Sequence, residues 1–288
     1  MYLFKIFTRI CWELGYVVKK HKENLILVEG QDPRVLPYLK KLPFTLMELP
    51  LSRGVGLRFY PLSHDTHHPF ILALLNRENG FDSKNRAYEI LRKYSELVNV
   101  RNANDFLGFP GEEAVFPQDS HPYEFTFPWI SLSPEQMKKN YEGYYSRENR
   151  KYGLKSDECL ESISVTEEKI QLEVIRLQSL KNSIKKNGYE GKENDPIGGA
   201  VFIKGDEWKW FVEGGQHRAA VVTALGFEKV LVHVRRIVRR EDVNVWPGVR
   251  NKIYSPQSAL KLFDHMFDLK APCSAEAWID HVNANLKE

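Results

Sequence analysis

Three cysteines in 288 residues, Cys11, Cys159 and Cys273, form no CxxC pair and no His/Cys cluster. Neither a structural zinc site nor a disulfide framework is indicated, and a reducing, cytoplasmic setting is expected. Long apolar runs are also missing. No stretch approaches the ~18 residues of a membrane span, so no transmembrane segment is expected. The first residues lack the apolar core and small-residue cleavage site of a signal peptide. The opening MYLFKIFTRICWELGYVV sets Lys5, Arg9 and Glu13 among its apolar residues. It is expected as a docked helix or strand, with a helix lying on a membrane surface as the alternative. Charge of one sign is scarce too: 41 basic against 38 acidic residues leave +3, too little to hold nucleic acid by charge alone. Neither phosphate-binding glycine signature occurs. There is no GxxxxGK followed by Ser or Thr, and RGVGLRF near Gly54 lacks the third glycine of a dinucleotide fingerprint.

What is present is a chain with 42% hydrophobic residues, above the size at which a single core is usual, so more than one part is expected. Residues 1–150 read as a mixed, mainly helical part. Alternation in YVVKK and LILVEG predicts a hairpin within Tyr16–Gly30, and prolines at 33, 37, 43, 50 and 61 break up any long element beyond it. Helical periodicity resumes in PFILALLNRENG and in SKNRAYEILRKYSELV, where Tyr88, Leu91, Tyr94 or Ser95, and Val98 share a face. Between Arg101 and Pro134 the aromatics and prolines predict an ordered wrapping segment. The polar stretch Glu142–Glu158 is the expected boundary.

Residues 151–240 show a sharper pattern, β, α, β, β, α, β. SISV reads as a strand. A helix runs from Thr166, its N-cap, to Gly188, with Ile170, Val174, Leu177 and Ile184 on one stripe. Two strands turn at KGDE, with Trp208, Trp210 and Val212 on one side. A glycine turn leads to a helix ending near Gly226, and KVLVHV returns as a strand with Val230, Val232 and Val234 together. Residues 241–288 predict two packing helices, one starting at Ser255-Pro256 and one at Ser274.

The turn GGQHR, Gly214–Arg218, sets two basic residues at a helix start, where the helix dipole disfavours cations by roughly 0.3 to 1 kcal/mol. An anion between them would reverse that sign. Helix N-termini present backbone N–H groups to anions, and glycines at 214 and 215 let a phosphate approach the backbone. The turn therefore reads as a phosphate cradle with Arg218 as a fork-shaped ligand. The alternative is a packing turn, with His217 satisfied in the interior and Arg218 paired with an acid.

LQSLKNSIKKNGY, then DPIGGAVFI, WKWFVEGGQHRAAVVTALGF and KVLVHV, resemble the ParB and sulfiredoxin superfamily over roughly Ile163–Val234, about a quarter of the chain. The resemblance implies an α+β chain with a ParB/sulfiredoxin-like nucleotide-binding domain behind the mostly helical N-terminal part. It also implies that Gly214, Gly215, Gln216, His217 and Arg218 hold nucleotide phosphates. Gly215–Arg218 stand where ParB proteins have Gly-Glu-Arg-Arg and sulfiredoxins have Gly-Cys-His-Arg. Gln216 occupies the sulfiredoxin nucleophile position, and an amide forms no thiol-linked intermediate, which excludes sulfinic acid reduction. Free serine kinases and similar small-molecule kinases of the superfamily carry a Gly-x-His-Arg type turn. Likeness to them implies transfer of a phosphate from ATP, with Mg²⁺, to a hydroxyl of a small molecule or glycan. Their carboxylate lies after the first strand, which in SVTEEK makes Glu168 the first candidate and Glu167 the second. The catalytic set so implied is Glu168, His217 and Arg218, with no metal ligands assigned. A nucleotide-switched protein, CTP- or ATP-dependent and holding DNA or a protein partner, is the alternative; no clear helix-turn-helix comes after the domain.

NANDFLGF, PWISLSPEQ, REDVNVWPGVR and YSPQSALKLFD are similar to longer ParB-like chains of bacterial surface-polysaccharide biosynthesis. Two further clusters stand out by their residues. His64, Asp65, His67 and His68 have no familiar zinc spacing and read as a hydrogen-bonded loop. Arg235, Arg236, Arg239, Arg240 and Arg250 read either as a face for a phosphate-rich partner or as a solvated edge paired with Glu241 and Asp242. Trp246 reads as buried.

Overall fold

The computed structural model describes residues 26–28, 32–38, 45–75, 83–109, 111–154, 165–189 and 196–286. Its α+β architecture is organised by one six-stranded mixed sheet. Strands β4 (Ile197–Lys204) and β5 (Glu207–Gly214) form a hairpin. The turn passes through Gly205 at φ 58, a left-handed conformation that glycine adopts without Cβ strain. Strand β6 (Lys229–Arg239) returns parallel to β4.

The rest of the sheet comes from the N-terminal residues. Strand β1 (Ile26–Val28) pairs in parallel with β2 (Thr45–Pro50), β2 runs antiparallel to β6, and β3 (Gly54–Val55) runs parallel to β5. The order across the sheet is β1-β2-β6-β4-β5-β3. Residues 1–150 thus supply three strands as well as helices, and share one sheet with residues 151–240. The sequence conceals β2 because Thr45, Leu46, Met47 and Leu49 are all buried. A strand covered on both faces shows no alternation, and here it is flanked by prolines. Of the expected hairpin, the second half supplies β1, which pairs with β2; the first half, YVVKK, lies outside the described residues, as do residues 162–164 of SISV.

Helices cover both faces. On the first, α1 (Pro69–Leu74), α2 (Ser83–Leu97), α5 (Glu167–Asn187), α6 (Gln216–Ala224) and α9 (Glu276–Asn285) pack on Trp208, Trp210, Val212, Val230, Val232 and Val234. On the second, Ala200, Phe202, Phe211 and Val238 meet α3 (Ala103–Leu107), α8 (Pro256–Phe267) and the aromatic segment through Phe109, Phe116 and Phe125. The wrapping segment is therefore a layer of the second core. Trp246, ahead of the short α7 (Pro247–Arg250), is buried against Phe263 and Trp129.

Local signals explain the element ends. Thr166 caps α5 by accepting from the Lys169 N–H, and Ser255 caps α8 in the same way from Ser258. Ser274 does not cap α9: its hydroxyl donates to the Asp105 carbonyl and a 3₁₀ turn, Cys273–Ala275, intervenes. Half of the expected boundary stretch, Glu142–Arg150, belongs to helix α4 (Pro134–Arg150), which starts with a Ser133/Gln136 capping box. It reads as a linker because few of its side chains are buried; Tyr141 and Tyr145 anchor it by stacking on Tyr123 at 5.1 and 5.5 Å. No helix among the described residues is long and apolar enough to cross a membrane.

Candidate functional site

The turn from β5 into α6 lies at the C-terminal end of β5 on a left-handed glycine. Gly215 has φ 87 and stands at the N-cap of α6, so the chain reverses there with no side chain in the way. The Arg218 guanidinium folds back over it. A Cβ at Gly215 would sit 3.1 Å from Arg218 Nη2.

A second guanidinium arrives from another strand. In the β4/β6 ladder Gly199 pairs with Val234 and Ala200 with Arg236, so Arg235 is the extra residue of a β-bulge. Its side chain crosses β4 over Gly198, where a Cβ would fall 2.4 Å from Arg235 Cζ, and reaches Gly214, where a Cβ would fall 3.2 Å from Nη2. Glycines 198 and 214 keep this path open. Arg218 and Arg235 thus lie over consecutive glycines at the positive end of α6. The rest of the arginine cluster separates from them. Arg236 pairs with Glu213 at 2.7 Å, and Arg240 makes a two-pronged bond to Asp264 at 2.8 Å on each prong. Burial pushes the Glu213 carboxyl up against the opposing pull of Arg236 and Arg235.

His217 turns away from its neighbours and into the molecule. Its Nε2 donates to Glu173 on α5, and its ring stacks on Phe70 with centroids 4.6 Å apart. The Glu173 side chain is 5% exposed. Its Oε1 also accepts from Lys169 at 2.9 Å and Arg176 at 3.2 Å, and Lys169 in turn donates to Asn149 on α4 at 2.9 Å. Three donors on one buried carboxylate offset the cost of desolvating it. Burial alone would raise the Glu173 carboxyl, but His217, Arg176 and Lys169 outweigh it and hold the group well below the usual carboxylate range. Of the two basic residues at the helix start, His217 is therefore paired with a buried acid.

Behind His217 stands His68, the N-cap of α1, with no exposed surface and no hydrogen-bond partner for either ring nitrogen. Burial, with the neighbouring His217, pushes it down to about 3, so it is neutral at ordinary pH. The other members of that histidine loop serve packing: His64 Nε2 donates to the Thr223 carbonyl and His67 Nε2 to Asn283, each at 2.8 Å. Among the described residues no group of three or more His, Cys, Asp or Glu is gathered to hold a metal ion.

Of the residues singled out from sequence, Gly214, Gly215, His217 and Arg218 come together at the turn. Gln216 begins α6, its Nε2 donating to the Val212 carbonyl at 3.0 Å while its Oε1 is buried without a partner. Glu167 and Glu168 are exposed in the first turn of α5; the carboxylate that meets His217 is Glu173, a turn further on. Sequence reasoning missed Glu173 and Gly198, and had Arg235 only as one of an arginine cluster, not as part of the turn. One signal for Glu173 was available, since an acid between Ile170 and Val174 falls on the inward stripe of the helix, four residues after Lys169. Nothing local marks Arg235, whose path depends on a bulge. Comparison with family models, with curated proteins and with solved structures returns no match.

Proposed function

We propose that the protein is a nucleotide-dependent phosphotransferase that moves the terminal phosphate of ATP to a hydroxyl of a small molecule or glycan. The observation that carries this is the convergence of Arg218 and Arg235 on the glycine turn at the start of α6. Phosphoryl transfer is achieved mainly by positioning and charge neutralisation, and two guanidinium forks beside backbone amides meet both needs. Gly214 and Gly215 let the phosphates approach the backbone, and Gln216 and His217 begin the helix whose amides face them. Mg²⁺ dehydrates reluctantly and is commonly held through phosphate oxygens and few carboxylates; here it would enter with the nucleotide. The resemblance to ParB-like chains of surface-polysaccharide biosynthesis supports a glycan acceptor in a cytoplasmic setting.

Calorimetric titration with ATP, ADP, CTP and GTP, each with Mg²⁺, tests the proposal. ATP is expected to bind the wild type, and Arg218→Ala and Arg235→Ala are each expected to weaken it about tenfold or more. Absence of heat with every nucleotide would sink the proposal and leave the turn as packing. Preference for CTP without turnover would favour a nucleotide-switched binding protein instead. That second function has its own support in Arg239 and Arg250, exposed beyond the turn. A salt titration against duplex DNA would expose it as binding that weakens steeply with salt.

A further inference from the structure

The Glu173–His217 contact has the geometry of an acid–base pair. The carboxylate is buried, ionised and fixed by Lys169 and Arg176, so the imidazole nitrogen facing it, Nε2, must carry the hydrogen of their bond. The other nitrogen, Nδ1, is then left with its lone pair when the ring is neutral. Among the described residues Glu173 is the one hydrogen-bond partner of His217, and Nδ1 is not among the buried atoms that lack a partner. With 23% of the side chain exposed, Nδ1 reaches solvent. His217 is also the second residue of α6, two places after Gly215, so the ring is anchored in the helical turn that carries the proposed phosphate cradle. The ring itself is held by Phe70 on one face and by the carboxylate at its edge.

We propose that His217 is the general base of the phosphotransferase and Glu173 its positioning residue, an inference that rests on the phosphotransferase function above. The proton of the acceptor hydroxyl passes to Nδ1 as the hydroxyl oxygen bonds to the terminal phosphorus of ATP. The bond from that phosphorus to the bridging oxygen breaks, its electron pair leaves with ADP, and the proton is lost from His217 to solvent. Glu173 fixes the tautomer and stabilises the imidazolium, as the carboxylate does in other carboxylate–imidazole pairs. The charged and titratable groups around the ring are Glu173 from α5, with Lys169 and Arg176 on the same carboxylate, and His68 ahead of α1. Glu168, exposed one turn earlier, takes no part.

The test uses full-length protein labelled with ¹⁵N-histidine, with water as the acceptor in place of the unidentified hydroxyl. Long-range ¹H–¹⁵N correlation at about pH 8 is expected to show His217 as the Nε2–H tautomer, with Nδ1 shifting when Mg²⁺ and ATP are added. The Nδ1–H tautomer, or an imidazolium that persists there, overturns the pair with no need of turnover. In phosphate-release assays His217→Gln is expected to lower ATP turnover by about a hundredfold or more while ATP affinity stays within about threefold. Glu173→Gln is expected to lower turnover less and to remove the preference for the Nε2–H tautomer in the same spectra, because the amide no longer obliges Nε2 to donate. A purely structural Glu173 would leave the tautomer unchanged. If His217→Gln instead loses affinity and turnover in step, His217 is a phosphate ligand and the inference falls. Circular dichroism checks that each variant folds, and in His217→Gln the side-chain amide retains an N–H that can donate to Glu173. Failure of ATP to bind the wild type at all would take down the phosphotransferase function itself. Normal binding and turnover in His217→Gln would remove only the base.

Discussion

Replacing Gly198 with Ala should disable the phosphate cradle from a distance while leaving the fold intact. The new Cβ would lie 2.4 Å from Arg235 Cζ and 2.5 Å from Nη2; ordinary contact begins at 3.4 Å, so the guanidinium must retreat by about 1 Å. The backbone has no reason to move instead, since Gly198 does not occupy the left-handed region and Ala is tolerated in a strand better than Gly. Displacing a partly exposed guanidinium from an anion costs about 1 to 2 kcal/mol, after discounting a charge-assisted bond for solvent screening. That corresponds to a five- to thirty-fold weaker Kd for Mg²⁺-ATP, roughly. The assay is calorimetry on four proteins: wild type, Gly198→Ala, Arg235→Ala and the double variant, each also melted thermally. If Gly198 acts only by giving Arg235 its path, the double variant binds no more weakly than Arg235→Ala alone. Additive losses, or wild-type affinity in Gly198→Ala, would refute the path across β4. Gly199→Ala is the structural control, because its Cβ would fall 2.9 Å from Val232 Cγ1 and 3.1 Å from the Phe211 carbonyl, and it should lower Tm.

The buried groups and the turn give three further expected outcomes. Because His68 is pushed down to about 3 from an ordinary 6.5, the stability it leaves intact above pH 6.5 is lost as pH falls from 6.5 towards 3. The loss is roughly 1.4 kcal/mol per pH unit, and urea unfolding of His68→Leu should show that slope flattened. Glu173 is depressed below its ordinary 4.5, so its stabilisation is present above that pH and is lost as pH falls below it. Glu173→Gln should cost about 3 kcal/mol at neutral pH, with the gap to wild type narrowing in denaturant titrations at about pH 3. Gly215→Ala forces a φ of 87 on an L residue and crowds Arg218. It should cost about 1 to 2 kcal/mol and also abolish nucleotide binding, whereas Gly188→Ala, at φ 77 with open space around it, should lower Tm and bind normally.

The sequence by itself determined the elements whose signals are local. Thr166 and Gly188 bound α5, the KGDE turn closes β4 onto β5, and Trp208, Trp210 and Val212 alternate onto one face, because caps, turns and periodicity are written within a few residues. The glycine turn was legible for the same reason. Tertiary structure alone decided what long-range pairing controls. Strand β2 looks like a proline-bounded apolar stretch until β1 and β6 pair with its two edges, and that pairing makes residues 1–150 part of the same sheet as the turn. His217 and Arg218, adjacent in sequence, part company because their side chains leave α6 in different directions. One meets Glu173, forty-four residues earlier on α5, and the other folds over Gly215. Arg235 joins the turn because one extra residue in a ladder redirects a side chain across a strand that has a glycine where it must pass. Such a path depends on the register of two strands at once, which no periodicity within either strand encodes.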